Sequence, residues 1–359
     1  MKFNAYAHYR KVRPVVSLFL FPNSFKSVGI MNKKELLFLN IFLLLIIIVV
    51  WFYPLNPTTI APTPNQFNQP EVPEFVERKP DISEVYPKGN FTFEGVSYWL
   101  DRLNKEAPDQ TEIILLGKST EGRDIKAIRI GPQNNGKKVL ITACVHGNEK
   151  LSCSVTMGVI TKILKEYMVD SRVTDLLRTR QIFYIPVICP DGYAHSSRHS
   201  DDVDPNRNWN DKNLREKLSI PSVQVVKDFH KDKQFNAVMS CHNYGNLYFY
   251  PWGFIDKKSK YIEDYQRVLR KMAVSSEYEP QHIYGHSAPP YYGYEVDWFH
   301  KWGAFSIVTE IGNSFDRESE IRSQIDRCYE SFLVFIDEAP LVIVDESPQE
   351  TWGERRSSM

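Results

Sequence analysis

Short apolar runs bounded by polar or turn residues recur at 113–116, 125–130, 138–144, 182–188, 237–241 and 305–309, and predict strands. Apolar positions fall at helical spacing over 151–167, 222–230, 261–274 and 318–337. Strands alternating with helices predict a layered α/β domain, in which chemistry collects where strands end and loops begin. One apolar segment follows neither period: LLFLNIFLLLIIIVVWFY at 36–53 carries no charge and a single polar residue, Asn40. About 20 mostly apolar residues span a bilayer core, so a transmembrane helix is predicted there.

Charge gives that segment a direction. The 359 residues hold 44 basic and 44 acidic side chains, which argues against a phosphate-neutralising nucleic-acid binder. Residues 1–35 contain seven of the basic groups and one acid, Glu35; taking these from 44 and 44 leaves 37 basic and 43 acidic residues beyond. The neutral total is therefore a +6 head and a −6 body. Lys33 and Lys34 abut the apolar run, and no basic residue follows it before Arg78. The positive-inside rule then predicts a single-pass membrane protein with a cytoplasmic N-terminus and everything after Tyr53 on the extracytoplasmic side. A cleaved signal peptide has an apolar region of about 7–15 residues ending in small residues. Here WFYPLNP follows instead, favouring an uncleaved signal anchor. Met31 opens MNKKELL as an alternative start, so residues 1–30 are assigned no structure.

Prolines 54, 57, 62, 64, 70, 73 and 80 make 54–80 a semi-extended linker. With no second linker and no repeat, 81–345 is predicted to form one domain, followed by a flexible polar tail at 346–359. A composition of 42% hydrophobic and 25% charged residues excludes disordered, collagenous and disulfide-scaffold chains. The five cysteines form no C-x-x-C pair and their odd count leaves at least one thiol free. Cys144 and Cys241 fall inside strand-like runs and read as core thiols.

The run 138–144 passes directly into His146-Gly147-Asn148-Glu149, ahead of the helical segment from Leu151. Across a strand-to-helix turn, this spacing lets an imidazole and a carboxylate converge on one ion with the ligands zinc accepts. Alone the motif is weak: a loop histidine and a glutamate favoured by the helix dipole fit it equally well. Catalytic zinc needs a third protein ligand, and His242 qualifies, ending the run AVMSCH before Asn243-Tyr244-Gly245-Asn246. His195 and His199 lie in CPDGYAHSSRH, where Pro190 and Gly192 disfavour a helix. His282 and His286 flank Tyr284-Gly285 in a predicted loop. Neither pair is preferred as a metal site.

In order, the chain presents Gly117-Lys118-Ser119-Thr120-Glu121-Gly122-Arg123-Asp124-Ile125, His146-Gly147-Asn148-Glu149, Pro190-Asp191-Gly192-Tyr193, Asp204-Pro205-Asn206-Arg207-Asn208-Trp209, Ser240-Cys241-His242-Asn243-Tyr244, Tyr250-Pro251-Trp252-Gly253 and Thr309-Glu310. Over roughly residues 91–335 this succession resembles the zinc carboxypeptidases of the carboxypeptidase A type. The resemblance implies a three-layer α/β/α fold with a mixed, largely parallel central sheet. It implies one Zn2+ per chain, held by His146, Glu149 and His242 with a fourth position for water. Glu310, ending the run FSIVT, becomes the general base and acid. Arg198 takes the place of the arginine that polarises the scissile carbonyl. Asn206 and Arg207 match the clamp for a free C-terminal carboxylate, which a guanidinium fork grips with two parallel hydrogen bonds.

Two features depart from the pattern. The family's mobile tyrosine lies eight residues before the Asp of an Asp-Trp pair; here that pair is Asp297-Trp298 and the position holds Pro289. Tyr291 or Tyr292 then takes the role, with Tyr284 and Tyr294 as further candidates. Val296, at the position that floors the terminal-residue pocket, suits an apolar side chain, whereas Glu295 beside it would favour a basic one. The interval from Glu149 to His242, 93 residues, is short for the digestive enzymes, and the stretch between Tyr53 and Phe91 leaves no room for their folded prodomain. Constitutive activity is the expectation.

The implied activity is a zinc metallocarboxypeptidase cleaving C-terminal peptide bonds. The alternatives are a murein peptidase acting on γ-D-glutamyl-diaminopimelate bonds and a deacylase of small N-acyl amino acids. A binding module with a dead site is opposed by the presence of all three ligands and Glu310. The implied partners are a peptide or muropeptide with a free C-terminal carboxylate, and a membrane through one helix, with no nucleic acid. Asn90-Phe91-Thr92 is a glycosylation sequon in a eukaryotic secretory setting.

Overall fold

The computed structural model describes residues 78–133, 136–209, 220–286, 292–313 and 318–340. The chain divides into two units, Met1–Glu74 and Phe75–Met359, and every described residue lies in the second. The predicted basic head, the membrane anchor at 36–53, the linker up to residue 77 and the tail lie outside the described residues. Among the described residues no helix is long and apolar enough to cross a membrane.

Eight strands are described: β1 (Thr111–Lys118), β2 (Asp124–Ile130), β3 (Lys137–Ala143), β4 (Arg180–Ile185), β5 (Ala237–His242), β6 (Leu247–Tyr250), β7 (Glu279–His282) and β8 (Phe305–Glu310). They form one sheet in the order β1-β2-β4-β3-β5-β8-β6-β7. The centre, β4-β3-β5-β8, is wholly parallel. Antiparallel pairings join β1 to β2, β2 to β4 and β8 to β6, and the edge pair β6-β7 is parallel again. The sheet is mixed as expected, with its parallel character concentrated where the chemistry lies.

Helices follow the strands: α1 (Phe93–Glu106), α2 (Lys150–Glu166), α3 (Ser171–Thr179), α4 (Pro190–Ala194), α5 (Pro221–Lys233), α6 (Ile262–Ser276), α7 (Glu295–Lys301) and α8 (Glu318–Glu338). Side chains alternate across a strand, and here they alternate between two cores. Val139 and Ile141 join Val155, Leu269 and Ile325 in one cluster, while Leu140 between them joins Val223, Val226, Trp298 and Phe299 in the other. Helices α2, α6 and α8 thus cover one face and α5 and α7 the opposite one, giving the expected three layers. All five cysteines are buried and free, so they serve as core thiols.

Several elements escaped the periodicity. Helices α1, α3 and α7 and strands β6 and β7 were absent from the sequence expectation. The segment after Cys189 was expected to avoid helix, yet Pro190 opens a five-residue helix, because proline at a first helical position loses no hydrogen bond. His282, expected in a loop, ends β7. Two of the sequon residues make local hydrogen bonds: the Asn90 side chain accepts from Ser154 Oγ at 3.0 Å, and Thr92 Oγ1 caps α1 through Gly95 N.

Candidate active site

The parallel strands bring the predicted ligands to one edge. Ala143 ends β3, His242 ends β5 and Glu310 ends β8, with Ala143 beside Cys241 and His242 beside Glu310 in register. Beyond β3 the chain turns through Cys144, which adopts φ 51°, an uncommon value for a side-chain-bearing residue. The turn then delivers His146 and places Glu149 at the cap position of α2. Gly147 is required by close packing: a Cβ there would lie 1.9 Å from the Gly192 carbonyl carbon of α4.

His146, Glu149 and His242 are buried, and one ligand atom of each lies within 4.8 Å of the others. His146 Nδ1 is 2.7 Å from Glu149 Oε1, and His242 Nδ1 is 2.9 Å from Glu149 Oε2. Among the described residues Glu149 Oε2 nevertheless finds no hydrogen-bond partner. Two imidazole nitrogens and an incompletely satisfied buried carboxylate, all facing one point, fit a zinc ion with nitrogen and oxygen ligands. In the protein alone, burial raises the Glu149 pKa, but His242 and His146 outweigh it and hold the carboxyl well below its usual range. His242 is pushed well above its ordinary value by Glu149 and Glu295 against the effect of burial.

The same cleft, of about 250 Å³, is lined by Arg198, Asn206, Arg207 and Glu310. Seven of the sequence-predicted residues, His146, Glu149, His242, Glu310, Arg198, Asn206 and Arg207, therefore line one cleft. Burial raises the Glu310 carboxyl to about 7, with the neighbouring His242 opposing the shift. Arg198 is held by Asp204, its Nε and Nη2 donating to Oδ2 at 3.2 and 3.0 Å, and its Nη1 stands 3.6 Å from Glu149 Oε1. Arg207 extends from a short 3-10 turn, Pro205–Arg207, and stacks over the Tyr294 ring at 4.4 Å. Gly293, at φ +89°, lets that wall close: a Cβ would lie 2.4 Å from the Arg207 carbonyl oxygen.

Other expectations fare differently. Val296 is fully buried behind the cleft, in a cluster with Phe249, Ile283, Tyr294 and Val308; those four line the cleft and Val296 does not. Glu295 does not reach the pocket as a determinant for basic residues: it is fully buried and its Oε1 lies 2.5 Å from His242 Nε2. Tyr291 lies outside the described residues. Tyr292 is 40% exposed and packs beside Phe254, away from the cleft lining. Tyr294, a further candidate, does line it. His195 bonds to Glu121, and neither it nor His199 joins the metal cluster. Asn243, Tyr244 and His286 also line the cleft. Position next to a ligand could have flagged the first two, but nothing local marks His286.

Comparison with known proteins gives the family and the fold. The family profile described as zinc carboxypeptidase matches residues 96–316. Rat carboxypeptidase A2 is 27% identical over 223 residues, 52% of this chain and 53% of its own length. The chain spans about half the length of the first curated relatives it matches. Among solved structures, thrombin activatable fibrinolysis inhibitor superposes with a TM-score of 0.64 at 19% identity, covering 70% of this chain and 74% of that one. Carboxypeptidase A of Helicoverpa armigera superposes at 0.59 with 21% identity, over 68% and 71%.

Proposed function

The chain belongs to the zinc carboxypeptidase family, and from that premise we propose that it is a zinc-dependent metallocarboxypeptidase removing C-terminal residues from peptides. The observation that carries the reading is the convergence of His146, Glu149 and His242 on one point, with Glu310 paired in register to His242. Zinc, when bound, supplies a Lewis acid that polarises the scissile carbonyl and makes water a competent nucleophile near neutral pH.

The protein's own groups do the rest. Glu310 Oε takes a proton from the attacking water and returns it to the leaving amine. Its burial favours the protonated form and the bound cation the ionised one, so activity falls as pH drops through a limb at or below about 7. Arg198 donates to the oxyanion, and Asp204 holds its guanidinium for that task. Arg207 and Asn206 grip the substrate carboxylate, fixing which bond meets the metal. Phe249, Ile283, Tyr294 and Val308 give the terminal side chain an apolar wall, and Glu295 is turned away, so apolar or uncharged residues are preferred. The apolar segment 36–53 and its basic flank support an extracytoplasmic, membrane-anchored placement.

Zinc-loaded protein assayed with hippuryl peptides and with muropeptides, with and without chelator, tests the reading. Chelator-sensitive release of the terminal residue from the peptides is expected. Turnover of muropeptides alone transfers the assignment to the murein reading, and no turnover of either overturns both.

A further inference from the structure

Each ligand histidine turns its Nδ1 toward Glu149 and its Nε2 toward a second carboxylate. For His146 that carboxylate is Asp204, at 3.0 Å, in the DPNRNW motif. For His242 it is Glu295, at 2.5 Å, the first residue of α7 and 53 positions away in sequence. The two partners differ in setting. The Asp204 side chain is 19% exposed and also takes both Arg198 contacts, whereas the Glu295 side chain is 1% exposed and among the described residues no arginine or lysine bonds to it.

A carboxylate buried this completely costs several kcal/mol unless a specific partner offsets it. Glu295 Oε1 is committed to His242, and Oε2 has no hydrogen-bond partner among the described residues. The rest of its surroundings is structural: its own backbone N–H donates to Asn206 Oδ1 at 2.8 Å, and Asn206 N donates in turn to Asp204 Oδ1 at 2.9 Å. His146, Asp204, Asn206, Glu295 and His242 therefore form one hydrogen-bonded chain behind the metal cluster. That chain passes through a residue of the carboxylate clamp.

We propose that Glu295 is the positioning residue of the metal centre on its β5 side. By accepting the Nε2–H of His242 it fixes the ring tautomer that leaves Nδ1 free to ligate, and it fixes the ring plane that aims Nδ1 at the cluster. Carboxylates in this outer position govern ligand orientation and basicity, and their loss typically costs about 10–100-fold in metal affinity. The inference rests on the zinc reading above and extends it to a residue that touches neither substrate nor metal.

The test is a zinc competition titration of the full-length chain against a chromophoric chelator, with Glu295→Leu and Glu295→Gln. The leucine variant fills the space without an acceptor and is expected to bind zinc about 10–100-fold more weakly. The glutamine variant, which keeps an acceptor oxygen, recovers most of that loss. A purely structural role would lower the melting temperature of both metal-free variants and leave their zinc affinities at the wild-type value, which overturns the proposal. If the leucine variant does not fold, the slowly exchanging His242 Nε2–H proton resonance decides: it must move upfield in zinc-loaded Glu295→Gln, and an unmoved resonance overturns the proposal. Wild-type protein that binds no zinc contradicts the function itself. Wild-type protein that binds and hydrolyses, with unaltered affinity in the leucine variant, contradicts this inference alone.

Discussion

On the metal side of the cleft, His146, Glu149 and His242 are 3%, 6% and 2% exposed, and every one stands at or just beyond the end of a central parallel strand. On the substrate side, the Arg198 side chain is 41% exposed, Tyr244 is 56% exposed, and most residues come from loops, with Phe249 supplied by β6 and Val308 by β8. The first wall is set by sheet register and by buried hydrogen bonds; the second is set by loops that carry the clamp. On the proposed reading, the ligands and Glu310 are thus fixed by the fold before any substrate arrives, while recognition draws on loop groups such as Arg198 and Tyr244 that stay exposed.

If that division is real, substitutions on the two sides have separable effects. His146→Ala or His242→Ala removes one of three protein ligands, so the zinc-to-protein ratio by atomic absorption falls from one toward zero and turnover goes with it. Full zinc occupancy in either variant would break the comparison at its root. Arg207→Ala leaves zinc content unchanged but removes charge-assisted hydrogen bonds of about 1.5–3 kcal/mol, so kcat/KM on free C-termini falls about 10–100-fold while amidated peptides are unaffected. Zinc loss in this variant would show the two sides to be one structural unit.

A smaller effect concerns the loop behind the substrate wall. Asp297 accepts from Gly253 N at 2.9 and 3.1 Å, and burial pushes its carboxyl up to about 7. The folded state therefore holds a proton that the unfolded chain releases at its ordinary lower pKa, so this group's contribution to stability falls as pH rises from about 4 to 7. Asp297→Asn cannot ionise and should flatten the melting temperature over that window; an unchanged slope would assign the pH dependence elsewhere. The least effect is expected at Tyr292, which packs on Phe254 outside the cleft lining. Its alanine variant should keep activity within about twofold, as exposed substitutions do. A loss of tenfold or more would restore it as the substrate-capping tyrosine.

The same contrast explains what could be read in advance. The central strands are apolar on both faces, so β3, β5 and β8 stand out as continuous runs, and the turns after them display their chemistry directly. Strand β7, Glu279–His282, is EPQH: an edge strand with a proline and polar side chains carries no hydrophobic period. Helix α7 is seven residues long with Val296, Trp298 and Phe299 all buried, so it lacks the polar face that marks an amphipathic helix. Helix α3 did leave a signal, since Asp170 caps it through Val173 N at 3.0 Å. Glu295 left none. A buried acid and a solvated one look alike in sequence, and only the fold reveals that its partner is His242.

The most direct test is Glu310→Gln, assayed for zinc content and for release of the terminal residue from the same preparation. The change keeps the shape of the side chain and removes its ability to carry a proton. Zinc bound at one per chain, with kcat reduced about 100- to 10,000-fold, is the predicted result. Loss of zinc, or turnover at the wild-type rate, would contradict Glu310 as the base and with it the assignment of this cleft.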